Sequence, residues 1–592
     1  MRSTVHATRR RRISSRASSR QCEIATAALL AASALIPFGR ASAISSLAPP
    51  SKNKTDAANF KGKLPITELN EQEAILHALN RLGFGSRPGE VEEIEKEGLD
   101  RWIQAQLHPE TIDDHAMANR LAEYPVLERS STDLLNLYPQ PQVAAKRMGI
   151  TVEEYQKRMQ ELEHPPQGMH PAASSNPQEI VNELSEAKLL RAIYSERQLD
   201  EQLANFWFNH FNVFIYKDLD HWYMPSYERD AIRPHVLGKF RDLLEATAKS
   251  PAMLFYLDNS ESADPRAFDR LRQHPVRPHS QQKLPPLGGR RGLNENYGRE
   301  LMELHTLGVD GGYTQQDVIE VAKCFTGWTI ESLRDNPKFY FDDRLHDPDA
   351  KRVLGKKIHA GGIKDGEKIL DLLAKDPHTA HHISLELAQY FVADNPPEAL
   401  VQRMTKTFEK SKGDLRAVMT TMIYSPEFWS RAAYRAKVKT PFELVASTVR
   451  ALGADVDQAL PLVQWTARIG EPLYQCLTPN GYSDQAGAWI STGALLNRLN
   501  FAIALASDRI RGTQADVAPL VSSEAAINAK SALDSIIADF LGDEISGATR
   551  ATLDRETSDP RVLQARLDDP VKQVDLGLLT GLVLGSPEFQ KR

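Results

Sequence analysis

Cysteine is scarce in this sequence, with three residues in a chain of 592. Cys22 belongs to the N-terminal segment and lacks the context of a lipoprotein, so only Cys324 and Cys476 remain farther along. No C-x-x-C pair occurs, which argues against a thiolate metal site or a dithiol redox motif. Cys324 and Cys476 could form one disulfide in an oxidising compartment, and the sequence leaves that pairing open.

Several familiar enzyme motifs are also missing. The chain has no P-loop, no G-x-S-x-G, no H-E-x-x-H and no G-x-G-x-x-G that opens a helix. These absences argue against common nucleotide enzymes, serine hydrolases of the α/β kind and zincins. No apolar run reaches the roughly 18 residues that a membrane span needs. With a net charge of −6 and a pI near 6.3, the chain as a whole is not expected to bind nucleic acid.

The N-terminus has the pattern of an export signal. A basic leader over residues 9–20 precedes an apolar stretch over 24–38 and the tripeptide Ala41-Ser42-Ala43. This order predicts a signal peptide, residues 1–43, cleaved after Ala43, and hence a periplasmic or secreted protein. The apolar stretch is too short for a membrane anchor, and both the Sec and the twin-arginine routes fit. Residues 44–68 are polar and without periodicity, which predicts a flexible leader.

Apolar residues recur at helical spacing over most of the remaining chain. The sequence therefore predicts a mainly α protein, a multi-helix globular array. One domain is predicted over 69–510, with 511–592 as a C-terminal helical part of the same domain. Its clearer helices are predicted at 179–197, 199–216, 229–249, 377–391, 396–410, 414–425, 441–452 and 489–507.

Two segments depart from the helical pattern. Aromatic and β-branched residues on either side of Pro348 predict one small β-hairpin at about residues 339–356. Residues 260–292 form a long basic loop rich in Pro, Arg, His and Gln. Loops of this length are typical of functional lids or of insertions, and a basic loop could also neutralise an acidic neighbour.

The stretch over residues 294–328 is the densest in ionisable and aromatic side chains. A helix predicted at 294–307 carries four charged residues on one face: Glu295, Arg299, Glu300 and Glu303. His305 falls on the other side, so it does not form a metal cluster with the carboxylates on one helical face. The charged face is either a solvated ladder worth a few tenths of a kcal/mol per pair or a buried acidic wall whose pKa values are set by Arg299.

A glycine-rich turn over residues 308–313 follows that helix. Thr314 and Asp317 have the spacing of a capping box at the start of the next helix. The turn brings Asp310 near the helix end and could bind a cation, although it lacks the alternating oxygen ligands of an EF-hand loop.

Aromatic residues surround His210 in its predicted helix. The histidine is therefore either a core residue or a ligand or acid/base group. Trp207, Trp328, Tyr482 and Trp489 could likewise supply a stacking surface or pack in the core.

Six motifs follow one another in order: Leu79 to Gly85, Phe206 to Phe211, Met253 to Asn259, Asn294 to Thr314, Phe325 to Trp328, and Thr478 to Tyr482. Together they resemble the large bacterial family called domain of unknown function 1800, over roughly residues 70–510. The resemblance implies an exported bacterial protein, often encoded beside a sulfatase-like exported partner. It implies no established reaction and no catalytic residues. Two features depart from the family pattern: the basic loop is long, and Phe208 stands where a polar residue is more usual.

The first function that fits is a hydrolase acting on a glycan or another polymer. Its acid/base pair would come from Glu300, Glu303 and Asp258, because one carboxyl group must stay protonated while the other is charged. Arg299 would lower the pKa of one of them. The predicted substrate-binding residues are Asn209, His210, Asn259, Asn294, Asn296, Tyr313, Trp328, Asn480 and Tyr482.

Two other functions remain open. One is a non-catalytic binding or assembly factor that works with an exported sulfatase-like partner, with the basic loop as its docking element. The other is a metal or haem oxidoreductase that uses His210 or His305, with Asp310 as a further weak metal candidate. Two isolated histidines without ligand spacing argue against it. The sequence identifies no cofactor.

Overall fold

The computed structural model describes residues 64–65, 68–163, 176–267, 269–270, 292–522, 525–542, 544–559, 562–563 and 574–592. The predicted signal peptide, nearly all of the predicted leader and most of the basic loop lie outside the described residues. The chain divides into two compact units. The larger comprises residues 55–488 together with Arg592, and the smaller comprises residues 489–591 in the part described.

Helices dominate the first half of the larger unit. They are α1 (Glu71–Arg81), α2 (Glu90–Glu97), α3 (Leu99–Leu107), α4 (His115–Leu121), α5 (Ser131–Leu137), α6 (Pro141–Met148), α7 (Val152–Glu163), α8 (Gln178–Tyr194), α9 (Gln198–His210), α10 (Asp220–Ser226), α11 (Phe240–Ala248) and α12 (Pro251–Tyr256). The centre of this half is a set of fully buried aromatic side chains, among them Trp207, Trp222 and Tyr227. Burial of such large apolar surfaces is the main favourable term in folding.

The second half of the larger unit adds further helices and five short strands. These are α13 (Asn296–Glu303), α14 (Gln315–Cys324), β1 (Trp328–Ser332), β2 (Asn336–Phe341), β3 (Lys351–Val353), β4 (Lys356–Ile358), α15 (Ile363–Leu373), α16 (Pro377–Phe391), α17 (Glu398–Ser411), α18 (Leu415–Ile423), α19 (Pro441–Leu452), the two-residue strand β5 (Asp455–Val456) and α20 (Leu460–Ile469). Thr314 and Asp317 form the predicted capping box at the start of α14.

The smaller unit consists of α21 (Thr492–Ala506), the two-residue strand β6 (Thr513–Gln514), α22 (Ala529–Leu541), α23 (Gly547–Glu556) and α24 (Leu576–Leu584). Helix α24 packs closely on α21. A Cβ atom on Gly581 would lie 2.5 Å from the Cα atom of Ile503, so only glycine permits this approach. Trp489 is buried within this unit.

The mainly α fold class is confirmed, and its strands form small antiparallel hairpins. Their pairing differs from the single hairpin predicted at residues 339–356. Strand β2 pairs antiparallel with β1, the strand that precedes it in the chain, and Trp328 lies opposite Phe341. Strand β3 pairs with β4 across Leu354 and Gly355, which both have positive φ. Two consecutive residues with positive φ are typical of the tight turns that close two-residue hairpins.

Two predicted helices end or break early. Helix α9 stops at His210, although helical spacing continues to Tyr216. Beyond it, the Asn212 side chain and the Ile215 amide bond to a distant loop, and these long-range hydrogen bonds replace helical ones. The helix predicted at 229–249 is broken near Pro234, where a π turn and a 3₁₀ turn precede α11. Proline supplies no amide hydrogen for a continuous helix.

Cys324 and Cys476 are both buried free thiols, so they do not form a disulfide here. Among the described helices, none is both long and apolar enough to cross a bilayer.

A cluster of buried charges, the Arg233 cluster, joins α9 to the π turn after α10. Arg233 donates two hydrogen bonds of 3.0 Å to Glu201 and one of 2.8 Å to Glu228. The Tyr474 hydroxyl also donates to Glu228. Burial alone would raise the pKa of Glu228, but the charges of Arg233, Lys188 and Arg191 and the hydrogen bond from Tyr474 outweigh it and lower that pKa to about 2.

A second buried cluster, the Asp365 cluster, lies at the first turn of α15. The Lys351 ammonium is 2.9 Å from one carboxylate oxygen of Asp365, and the His346 Nε2 atom is 3.2 Å from the same oxygen. All three side chains are at most 3% exposed. Lys351 also donates to the backbone carbonyl of Asp347. Asp365 is the nearest carboxylate to Lys351, and the Asp347 carboxylate lies farther away, at 3.8 Å.

Candidate functional site

Three of the sequence motifs meet at the loop over residues 474–482. The amide nitrogen of the Asn209 side chain donates to the Tyr482 carbonyl at 2.8 Å, and its oxygen accepts from the Tyr482 amide at 2.7 Å. Gly481 has a φ of 68°, and a Cβ atom there would lie 2.3 Å from the Asn209 carbonyl oxygen. Only glycine allows this approach. The side-chain amide of Asn209 therefore shapes the loop.

Two further side chains hold the same loop. Asn212 donates to the carbonyls of Cys476 and Thr478 at 3.0 and 2.8 Å. The Tyr256 hydroxyl, from the end of α12, donates to the Leu477 carbonyl at 2.8 Å. These bonds bring the end of α9, the end of α12 and the loop into one constellation.

The remaining predicted residues of this loop differ in exposure. Asn480 is exposed on the loop, where its amide can reach a bound molecule. The Tyr482 hydroxyl donates to the Pro472 carbonyl at 2.8 Å, so its ring is fixed beside the loop. Tyr482 is only partly buried and keeps part of its surface accessible.

Asp258 lies directly after α12 and forms an ion pair. Its carboxylate accepts a hydrogen bond of 2.5 Å from the Lys217 ammonium, which also donates to the Tyr256 carbonyl. Asp258 has a φ of 57°, a left-handed conformation that non-glycine residues seldom adopt. Half of its side-chain surface remains exposed. The ion pair places the Asp258 carboxyl group at the surface, beside the Tyr256 carbonyl that Lys217 also contacts.

The asparagines at the start of α13 bind the same segment through its backbone. Asn294 donates to the Asp258 carbonyl at 3.2 Å, and its own side-chain oxygen accepts from the Asn296 amide at 2.9 Å. The Asn296 side chain reaches the Leu257 carbonyl at 3.5 Å. Both asparagines thus position the Asp258 segment against α13, and Glu300 follows Asn296 one helical turn later on the same face.

The pKa of the Glu300 carboxyl group on α13 is shifted by its surroundings. Burial raises its pKa, the neighbouring charge of Glu303 raises it further, and Arg299 opposes both. Burial also raises the pKa of the Tyr256 hydroxyl, with smaller contributions from Cys476 and then from Asp220 and Glu300. Glu300 therefore lies within electrostatic reach of Tyr256 and favours its protonated form.

The other charged residues of the predicted face have different partners. Arg299 lies 3.3 Å from Glu295 and donates to Gln315 at 3.1 Å, in a part-exposed position where an ion pair contributes little. Glu303 accepts a hydrogen bond of 3.4 Å from the Tyr313 hydroxyl. Of the expected ladder from Glu295 through Arg299 to Glu303, the pair of Glu295 and Arg299 is present, whereas Glu303 bonds to Tyr313.

Asp220, which the sequence reading did not select, is the most unusual acid near this site. Its side chain is fully buried, and neither carboxyl oxygen has a hydrogen-bond partner. Burial raises its pKa well above the usual range, and the positive charge of Lys217 only partly opposes this. Buried unpaired carboxylates are rare, so Asp220 is held as a neutral acid beside the pair of Lys217 and Asp258.

The variant Asp220→Asn should be more stable than the wild type at neutral pH. Because the folded-state pKa of Asp220 is raised, the folded chain retains a proton that the unfolded chain releases above about pH 4. Wild-type stability therefore falls as pH rises, by up to about 1.4 kcal/mol per pH unit, until the raised pKa is passed. Asparagine has no such proton, so the advantage of the variant should grow over this range.

Urea unfolding at about pH 4 and about pH 7 measures this difference. Asp230→Asn is the matched control, because Asp230 is 60% exposed and paired with Arg229. A stability difference between Asp220→Asn and the wild type that does not change with pH would contradict the neutral state of Asp220.

His210 belongs to a group of histidines on the other flank of α9. Its Nδ1 atom lies 2.7 Å from Glu386, and its Nε2 atom lies 3.3 Å from the His305 carbonyl. His382 lies 3.5 Å from the other oxygen of Glu386. His305 itself is buried, and burial lowers its pKa well below the usual range, with His210 and His382 adding to the effect. His305 is thus a neutral core residue in the turn that follows α13.

Two predicted substrate-binding residues lie in the interior. Trp328 is fully buried and packs edge-on against Phe325 and Phe339. Asn259 is buried and donates to the carbonyls of Phe325 and Trp328. Trp207 is also fully buried and donates to the Val236 carbonyl. These three side chains are therefore part of the packed core.

The weak metal candidates do not come together. Asp310 is exposed on the glycine-rich turn, whereas His305 is buried in the core. In the part of the chain that the structure describes, no group of three His, Cys, Asp or Glu side chains is arranged to hold a metal ion.

These observations define a mainly α-helical protein whose candidate site combines Glu300 on α13, a carboxyl group with a raised pKa, with Asp258 after α12, a carboxyl group paired with Lys217. Over residues 77–591 the chain matches the family model described as "Protein of unknown function (DUF1800)". The chain belongs to this family, as the six motifs indicated. Comparisons with curated proteins and with solved structures give no match.

Proposed function

We propose that this chain is an exported hydrolase that cleaves a glycan or another polymer, with Glu300 as general acid and Asp258 as its ionised partner. The observation that carries the proposal is the different environment of two carboxyl groups on segments that are hydrogen-bonded to each other. Burial and then Glu303 raise the pKa of Glu300, whereas the half-exposed Asp258 carboxyl group is paired with Lys217 at 2.5 Å. Such divergence between two acids is the usual basis for an acid and a base in one site.

Each neighbouring residue has a role in this proposal. Lys217 holds the Asp258 carboxylate and the Tyr256 carbonyl together, and neutral Asp220 does not compete for the ammonium. Glu300 would donate its proton to the leaving group, while the Asp258 carboxylate would activate a water or stabilise positive charge. Exposed Asn480 would contact the polymer from the 474–482 loop. Export rests on the signal pattern of residues 1–43.

The variant Glu300→Gln tests the proposal directly. We expect the purified wild type to release reducing ends from at least one member of a polysaccharide panel, and Glu300→Gln to lower kcat by about 100-fold or more, the range of general acid catalysis. Because the acid must be protonated, wild-type activity should fall as pH rises through the raised pKa of Glu300, and the variant should lose this limb.

Glu295→Gln is the matched control, since Glu295 belongs to the same helical face but pairs with Arg299 and Gln315. Its activity should equal that of the wild type. A Glu300→Gln protein that is folded and restores full function to a deletion strain would contradict the catalytic role.

A second candidate is a binding or assembly factor that works with an exported sulfatase-like partner. The observation in its favour is the exposure of two large apolar side chains, Val309 at 70% and Leu477 at 69%. Val309 lies within the motif from Asn294 to Thr314, and Leu477 directly precedes the motif from Thr478 to Tyr482. Exposed apolar groups at such places are typical of contact surfaces. The same complementation experiment separates the two functions, because a binding factor keeps its function when Glu300 is replaced by glutamine.

A further inference from the structure

A separate cleft of about 470 Å³ lies on the larger unit, away from the residues of the proposed hydrolase site. Its outer wall is the segment over residues 110–121, and its floor comes from the end of α8 and the start of α9. The volume lies within the roughly 300–1,000 Å³ that is usual for small-molecule sites. The charges and apolar residues of its lining indicate the class of ligand it can bind.

The floor presents Arg191, a cation whose ion pair with the protein leaves its hydrogen-bond donors unused by the residues that the structure describes. Arg191 is only 16% exposed, and its ion contact with Glu228 is long, at 3.7 Å. In the part of the chain that the structure describes, its guanidinium makes no hydrogen bond. A guanidinium has five N–H donors in a fork that fits a carboxylate. Arg191 can therefore receive a ligand carboxylate.

The other charged groups of the floor are already engaged. Glu201 is 10% exposed and accepts two hydrogen bonds of 3.0 Å from Arg233. Arg197 donates to the Ile112 carbonyl at 3.2 and 2.8 Å, which fixes the outer wall. Among these described floor residues, Arg191 keeps all of its N–H donors available for recognition, whereas Arg197 has two of its donor atoms committed to the Ile112 carbonyl.

The outer wall has the opposite charge and an apolar part. Asp114 accepts bonds from the Ser195 hydroxyl and the Glu196 amide, which hold its carboxylate in place, and Asp113 is 79% exposed beside it. Ile112, Met117 and Leu121 give the lining an apolar surface. An acidic wall disfavours phosphates and other polyanions, whereas it attracts an ammonium group. The cleft thus offers a cation, an anion and an apolar surface together.

We propose that this cleft binds a free α-amino acid with an apolar side chain. The ligand carboxylate would pair with Arg191, its ammonium group with the carboxylates of Asp113 and Asp114, and its side chain would lie against Met117 and Leu121. This site is independent of the hydrolase proposal, because none of its lining residues belongs to the carboxylate pair at Asp258 and Glu300.

Calorimetric titration of the purified chain with L-leucine, L-isoleucine, L-methionine, L-phenylalanine and L-valine tests the inference. We expect at least one of them to bind and to raise the Tm, as a ligand of the folded state must. The matching amino-acid amide, which lacks the carboxylate, and the N-acetyl derivative, which lacks the ammonium group, should each bind at least about tenfold more weakly, because each loses one charged partner.

Two variants locate the binding. Arg191→Gln should weaken binding at least about tenfold through loss of the charge-assisted pair. Ala118→Trp fills the cleft from exposed Ala118 without changing the floor, so it should weaken binding even if Arg191→Gln is poorly folded. Arg403→Gln, at a surface pair with Glu427, is the control and should bind like the wild type. Failure of all five amino acids to bind, equal binding of the blocked derivatives, or unchanged binding by Ala118→Trp would overturn the inference.

Discussion

Replacing Arg233 by methionine should destabilise the larger unit by about 3–5 kcal/mol, because it leaves two buried carboxylates without their shared cation. Glu201 and Glu228 are 10% and 5% exposed, and both accept hydrogen bonds from Arg233. Methionine keeps much of the length of the side chain, so the loss reports charge and hydrogen bonding more than volume. Urea unfolding followed by circular dichroism measures it.

The pH dependence of this variant should run opposite to that of the wild type. In the wild type the pKa of Glu228 is lowered to about 2, so its contribution is present above about pH 4 and is lost as pH falls through 2. Without Arg233, burial favours protonated carboxyl groups, so the variant should regain stability as pH falls from about 6 to about 4.

Two further variants isolate the cause. Arg403→Met, which removes a surface pair with Glu427, should cost at most about 1 kcal/mol. Adding Glu201→Gln and Glu228→Gln to Arg233→Met should recover part of the loss, since the uncompensated charges are then removed. A cost for Arg233→Met no larger than that for Arg403→Met would show that the Arg233 cluster does not stabilise the fold.

Local sequence signals predicted some helices closely and others poorly. The limits of α16 and α19 agree with prediction, because each begins with a proline after a capping residue, Asp376 and Thr440 respectively. Helix α9 was predicted too long, since its end is determined by hydrogen bonds from Asn212 to a loop far along the chain. No local pattern contains that information.

The strands show the same limit. The turn at Leu354 and Gly355 has two positive φ values, but its sequence lacks the Asn-Gly or Asp-Gly pair that usually identifies such a turn. Residues Phe339 to Phe341 were recognisable as a strand, whereas their pairing with β1 was not. Strand propensity depends on neighbours, so pairing is harder to predict than extended structure.

For the candidate site, helical periodicity predicted which residues share a face of α13, but it did not predict their contacts with other segments. It separated His305 from Glu300, and the structure places His305 in the core beside Phe211. It could not show that Asp220 loses all hydrogen-bond partners, because that property arises only from burial. Asp258 and Lys217 lie on different segments of the chain, so their ion pair is a consequence of tertiary packing.

Asp365→Ala should also destabilise the larger unit by about 3–5 kcal/mol, because it leaves the Lys351 ammonium buried without a carboxylate within 3 Å. Lys351 is 1% exposed, and its distance to Asp347 is 3.8 Å, too long to replace the pair at 2.9 Å. His346 would lose a partner at the same time. The loss should be measurable in urea at neutral pH.

The same helix supplies the control for this prediction. Asp371→Ala on α15 removes a pair with Arg241 in which Asp371 is 51% exposed, and it should change stability by no more than about 1 kcal/mol. The double variant Asp365→Leu with Lys351→Met removes both charges, so it should be more stable than Asp365→Ala if the unpaired ammonium is the main cost. Should the double variant be no more stable than Asp365→Ala, lost packing at the start of α15 would explain the effect better than the buried charge.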